Sequence, residues 1–301
     1  MKKIILLLIV LFVTAGCSFT KDDLENAHIY TTVYPIKYLT ECLYGEYATI
    51  ESIYPAGADV KNYELKEKQI KKYAKSDLFI YNGLSNEKNT AKNLINANKN
   101  LLIIDVSYGL SYTYTLEELW MSPNNYLMLA KNIKDNLITY LKSKYIIENV
   151  EKNYNELAEV LSLMDADLRS VGKEAENKGT NTLVVNDDAL NFLQNYGFKI
   201  ISLDPDTVSE STINSISQAF KKKTYTTMII LDNNKSEAIE KIINDNKIEV
   251  INVNSMLNNS PSDDNYVTQT QSFIDSLRNL SISNWHIPTF ILKYRSSLVK
   301  E

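Results

Sequence analysis

The chain has 301 residues with 32 Lys and Arg against 37 Asp and Glu, for a net charge of −5. That balance argues against a nucleic-acid partner, which needs a concentrated basic surface. Two cysteines, Cys17 and Cys42, with no C-x-x-C, exclude a disulfide framework and a cysteine zinc site.

In chain order, Lys2 and Lys3 precede an uncharged apolar run from Ile4 to Val13, followed by Thr14-Ala15-Gly16-Cys17. The run is too short for a permanent membrane span, and its order of basic, apolar and small residues is that of a signal peptide. Cysteine directly after Ala-Gly resembles the lipobox of bacterial lipoproteins, which implies acylation of Cys17 and anchoring to the outside of a membrane. Cys42, among Tyr38, Leu39 and Leu43, reads as an apolar packing thiol. Residues 18–27 are expected to form a tether.

From His28 onward, short β-branched or aromatic runs alternate with helix-like segments. HIYTTVYP, ATIESIYP, SDLFIYNG and NLLIIDVS are predicted strands of a first lobe at 28–123, separated by IKYLTECLYG, KEKQIKKYAK and EKNTAKNLINANK. NTLVVND, FKIISLD, YTTMIILD and IEVINVNS are predicted strands of a second lobe at 178–280, separated by DALNFLQNYG, ESTINSISQAFKKK and SEAIEKIINDN. Alternation at this spacing predicts α/β architecture with parallel sheets covered by helices. Between the halves, Asn124 to Val171 contains neither Gly nor Pro. Ile147, Val150, Tyr154, Leu157, Val160, Leu161, Met164 and Leu168 recur there with helical period, so 124–177 are expected to be connecting helices forming a rigid strut. Two lobes on a strut leave a cleft, and such sheets bind ligands beyond the carboxyl ends of their strands. The turn PAGADVKNYEL, Asn186-Asp187 and Val253-Asn254 all follow predicted strand ends. Tyr108, Tyr112 and Tyr114 fall near the expected rim.

The marks along the chain resemble one family, the metal-binding lipoproteins of bacterial zinc and manganese ABC transporters. They are the Thr-x-Tyr-Pro strand end, the Pro-x-Gly-x-Asp turn followed by Tyr-Glu, the Asp-Leu-x-x-x-Asn-Gly strand, LWMSPNNYLMLAKNI, NDDALNFLQNYGF and DDNYVTQTQSFIDSL. The resemblance spans roughly 28 to 280 and leaves 281–301 unmatched. It implies a monomeric, surface-anchored solute-binding protein that works with an ABC permease and ATPase and carries a divalent cation, zinc or manganese. Carried over position by position, the ligand places fall on Lys61, Glu118, Asp187 and Asn254, with Asp232 competing for the last.

Lys61 is a departure. An ammonium has three donors and no lone pair for a metal. With Glu118 and Asp187 carrying two negative charges, the expected resting arrangement is Lys61 ion-paired between them in place of the cation. Manganese through the oxygens of Glu118, Asp187 and Asn254 would require Lys61 to swing outward. His28 and His286, the two histidines of the chain, lie away from these places. The alternative is a relative that no longer transports and serves as an adhesive or regulatory surface protein or binds a small organic ligand. An enzyme is not expected: G-x-S-x-G, the P-loop and G-x-G-x-x-G are absent.

Overall fold

The computed structural model describes residues 24–257 and 265–281. The signal-peptide and Cys17 readings, and the unmatched tail from 282 with His286, lie outside the described residues.

The first sheet comprises β1 (Ala27–Thr31), β2 (Ala48–Ser52), β3 (Leu78–Tyr81) and β4 (Leu102–Asp105), in the order β2-β1-β3-β4 with every pairing parallel. Helices α1 (Tyr34–Tyr44), α2 (Glu67–Tyr73) and α3 (Glu87–Ala97) make the crossovers. In β3 all four residues are buried, so the strand shows no alternation; that is the pattern of a strand covered on both faces. Helix α1 opens with Pro35 in its first turn, where the missing N–H costs nothing, and buries Ile36, Leu39, Thr40 and Leu43 along one stripe. The expected tether shortens at its far end. Leu24 is buried, its carbonyl accepts from Tyr44 Oη at 3.1 Å, and β1 begins at Ala27.

The second sheet comprises β5 (Thr182–Val185), β6 (Lys199–Ser202), β7 (Thr227–Leu231) and β8 (Glu249–Val253), parallel throughout in the order β6-β5-β7-β8. Helices α7 (Glu210–Lys221) and α8 (Glu237–Asn246) cover it, both started by serine caps, Ser209 and Ser236. The segment Asp188–Tyr196, expected as a helix, is a 3₁₀ helix of 9 residues.

The predicted strut is two helices packed on each other, entered through the short α4 (Glu118–Met121). Helix α5 (Pro123–Tyr140) ends at Leu141, whose backbone turns extended, and α6 (Lys144–Lys178) starts after the Ser143 cap. No Gly or Pro marks this break; the side chain of Leu141 is buried and Ser143 accepts from Ile146 N–H. Helix α6 has 35 residues, about 50 Å at 1.5 Å per residue. Its first half binds the first lobe through Asn149 to Tyr47 Oη at 2.5 Å and Asn153 to the Leu43 carbonyl at 3.2 Å. Its second half meets the second lobe, where Asp165 accepts from Tyr196 Oη at 2.7 Å and Asp167 pairs with Arg278 on the closing helix α9 (Tyr266–Ser281). Among the described residues no helix is long and apolar enough to cross a membrane.

Gly172 is where the strut and the second lobe come closest: a Cβ there would lie 1.8 Å from the Tyr196 carbonyl oxygen. Gly172→Ala should therefore destabilise the protein by about 1–3 kcal/mol, the usual cost of overpacking, despite alanine's better helix propensity. Urea denaturation checks this; an unchanged midpoint would contradict the close approach.

Candidate functional site

The carboxyl ends of the two sheets supply loops that meet each other. The turn after β2 donates Gly57 N–H to the Leu257 carbonyl after β8, at 3.0 Å. Trp120 of α4 is fully buried, and its Nε1–H donates to the Ser255 carbonyl at 2.9 Å. Tyr266 Oη donates to the Trp120 carbonyl at 2.7 Å, and Ser122 Oγ lies 3.0 Å from Tyr196 Oη. These bonds tie the lobes together on both sides of α4.

Asp187 follows β5, half-buried, and caps the 3₁₀ segment by accepting from Ala189 N–H at 2.8 Å. Burial raises its carboxyl above the usual range, and the negative charges of Asp204, Glu117 and Asp188 raise it further, against the Ala189 bond that lowers it. Asp188 and Asp204 are locked to this loop: Asp204 Oδ2 accepts from Asp188 N–H at 3.1 Å, and Asp188 accepts from Thr207 Oγ1 at 3.0 Å. The negative field at Asp187 would be relieved by a cation.

From the first lobe, the carboxylate that reaches Asp187 electrostatically is Glu117, which sequence reasoning passed over for its neighbour. Glu118 is buried and turned elsewhere. Its Oε2 accepts from the Thr113 and Tyr114 N–H groups at 3.0 and 3.1 Å, and its Oε1 from the Asn125 amide at 3.3 Å. Glu118 thus holds the loop before α4 in place. Asp232 acts similarly on the other side of Trp120. Its two oxygens accept from Ser255 N–H at 2.8 Å and Ser255 Oγ at 2.5 Å, fixing the residue whose carbonyl takes the indole. Asn254 Oδ1 accepts from Met256 N–H at 2.7 Å, closing a turn around Met256 in the left-handed region.

Lys61 is exposed. Asp59 organises its turn, accepting from Lys61 N–H at 3.0 Å and from the Asn62 amide at 2.7 Å, and these bonds hold the Asp59 carboxyl below its ordinary value. The expected ion pair of Lys61 with Glu118 or Asp187 is absent among the described residues, whose ion pairs lie elsewhere. The physical reason is desolvation. A hydrated ammonium on a flexible stem gains little from a buried pair, while Glu118 already has three donors. Beside the turn, Tyr34, Lys37, Tyr54, Ala58 and Leu257 line a cavity of about 260 Å³ that none of the four predicted positions enters. Of the rim tyrosines, Tyr108 and Tyr112 are exposed and Tyr114 packs on the core. His28 lies at the surface with its Nε2 2.9 Å from Glu51, and Cys42 is half-buried, its thiol pushed up to about 12 by burial. Among the described residues, no three His, Cys, Asp or Glu side chains stand as a ready-made metal cage.

The sequence model of the family described as zinc-uptake complex component A, periplasmic, matches residues 29–280. The zinc-binding lipoprotein AdcA of Streptococcus pneumoniae is 26% identical over 92% of this chain and 61% of that protein. The manganese ABC transporter substrate-binding lipoprotein scaA of Streptococcus gordonii is 28% identical over 59% of this chain and 61% of its own. This chain spans about three fifths of the length of such curated relatives. The Zn(II)-bound ZnuA-like domain of Streptococcus pneumoniae AdcA superposes with a TM-score of 0.69, covering 85% of this chain and 99% of that one at 22% identity, which demonstrates a shared fold.

Proposed function

Because the chain belongs to the zinc-uptake complex component A family, we propose that it is an extracytoplasmic solute-binding lipoprotein, anchored through Cys17, that presents a divalent cation to an ABC permease and ATPase. The observation that carries this reading is Asp187: a half-buried carboxylate at a strand end, opposed by burial and by the further negative charges of Asp204, Glu117 and Asp188. An oxygen-rich, negative site suits a hard cation such as manganese better than zinc, which favours nitrogen and sulfur. Lys61, Glu118 and Asn254 stand at the remaining family positions, and the Glu118 carboxylate is taken up by Thr113, Tyr114 and Asn125. Lys61 and Asn254 supply neither an imidazole nor a carboxylate, which leaves Asp187 as the carboxylate open to a cation at these four positions.

Elemental analysis of protein purified without chelator, followed by calorimetric titration with manganese and zinc, tests the reading. Manganese is expected to bind more tightly than zinc, and Asp187→Asn to abolish the heat. If neither metal binds the wild type, transport is lost from this chain, and the adhesive or organic-ligand alternative takes its place.

A further inference from the structure

A basic feature of this acidic chain lies at the opposite end of the first sheet from the cleft loops. Residues 66–75, KEKQIKKYAK, carry five lysines and one glutamate, in a chain with a net charge of −5. Helix α2 buries none of its residues. Lys68, Lys71, Lys72 and, in the following turn, Lys75 are all exposed and spaced i, i+3, i+4 and i+7, so they share one helical face. With Tyr73 and Asn98 they line an open groove of about 880 Å³. Glu67 pairs with Lys71 at 2.5 Å, but both are solvent-exposed, and such a pair yields readily to another anion.

The placement of this face is informative. The segment ends at Asp77, whose N–H donates to the His28 carbonyl at 3.0 Å while its Oδ2 accepts from His28 N–H at 2.7 Å. It is therefore pinned to the amino end of β1, the end at which the chain enters the first lobe through Leu24. Cys17 lies seven residues before Leu24, a reach of at most about 25 Å when extended. Leu24, where the described chain enters the first lobe, and the lysine face thus share the edge of the first sheet opposite the carboxyl-end loops.

We infer that the lysine face of α2 seats on anionic phospholipid headgroups, acting as a second anchor that complements acylation and turns the cleft away from the bilayer. Its position relative to the bilayer rests on the lipoprotein reading; its affinity for the headgroups does not. A polybasic face supplies the second signal that a single acyl chain needs for stable attachment.

The test compares the full chain with Lys68→Gln/Lys71→Gln/Lys72→Gln/Lys75→Gln on phosphatidylcholine vesicles and on phosphatidylcholine–phosphatidylglycerol vesicles. On neutral vesicles the two proteins should bind alike. On anionic vesicles at low salt the wild type should bind about 600-fold more tightly, from a contribution near fivefold for each of the four lysines, and raised salt should erase the difference. Lys68→Gln/Lys75→Gln, less of a change to the helix, should show about half the effect on a logarithmic scale. Equal binding on anionic vesicles, or a difference that salt leaves intact, overturns the inference. So does wild-type binding to soluble polyphosphate without preference for the anionic vesicles. If neither protein attaches to neutral vesicles while the anionic preference persists, the lipid anchor fails and the lysine face stands.

Discussion

Replacing Trp120 with alanine should lower the unfolding free energy by about 3–5 kcal/mol, the range for truncating a buried large aromatic. Trp120 is fully buried where the lobes meet, and its indole N–H is the donor to the Ser255 carbonyl. Around it, Glu118 holds the preceding loop, Asp232 holds Ser255, and Tyr266 donates to the Trp120 carbonyl. Removing the indole leaves a cavity and deprives a carbonyl of its partner inside the protein, where it cannot easily recover water. Trp120→Phe retains most of the apolar volume and loses the bond, so it should cost about 1–3 kcal/mol. Urea denaturation of the three proteins separates packing from hydrogen bonding. A loss under about 1 kcal/mol for the alanine variant would mean that the lobes are held together elsewhere, contrary to the geometry around α4.

Thermal stability should fall as pH rises from about 5 to about 8, and Glu87→Gln should flatten that dependence. Glu87, at the start of α3, is fully buried, and burial pushes its carboxyl well above the usual carboxylate range, up to about 7. Its Oε2 accepts from Thr32 Oγ1 and from Asn82 N–H at 2.8 Å, bonds that favour the ionised form without overcoming desolvation; the nearby Asp105 charge opposes ionisation. Its Oε1 and the Asn82 amide nitrogen have no hydrogen-bond partner among the described residues. The sign follows from linkage. The folded state holds this proton more tightly than the unfolded chain, so the stabilisation is complete below the unfolded value and is lost as pH passes through the folded one. The difference is on the order of 3 kcal/mol at about 1.4 kcal/mol per pKa unit. Because Glu87 sits where the loops after β1 and β3 meet, the desolvation cost of ionising it falls on the carboxyl-end side of the first lobe. Melting curves across that pH range check the slope, and an identical slope in Glu87→Gln would assign it to other groups.

Much of the architecture was legible in the sequence, because burial imposes a period on the chain. The eight strands, their parallel pairing, and a helix through 150–170 follow from apolar runs, covered faces and the spacing of Val150, Leu157, Leu161, Met164 and Leu168. The family marks, from the PAGADVKNYEL turn to the closing helix, place the chain before any distance is known. Tertiary structure alone decided what individual polar groups do. Glu117 and Glu118 are adjacent and chemically identical, yet neighbouring residues on a helical turn point about 100° apart. The charge of one is felt at Asp187, and the other is consumed by the N–H groups of Thr113 and Tyr114. Asp232 resembles a free ligand until Ser255, 23 residues on, takes both its oxygens. Glu87 looks like a surface residue at the start of a polar helix until the fold buries it against Thr32, 55 positions away. Lys61 was expected inside because complementary charges attract. It lies outside because hydration competes with that attraction, and the balance depends on how deeply each partner is buried, a property of the folded chain and not of its order of residues.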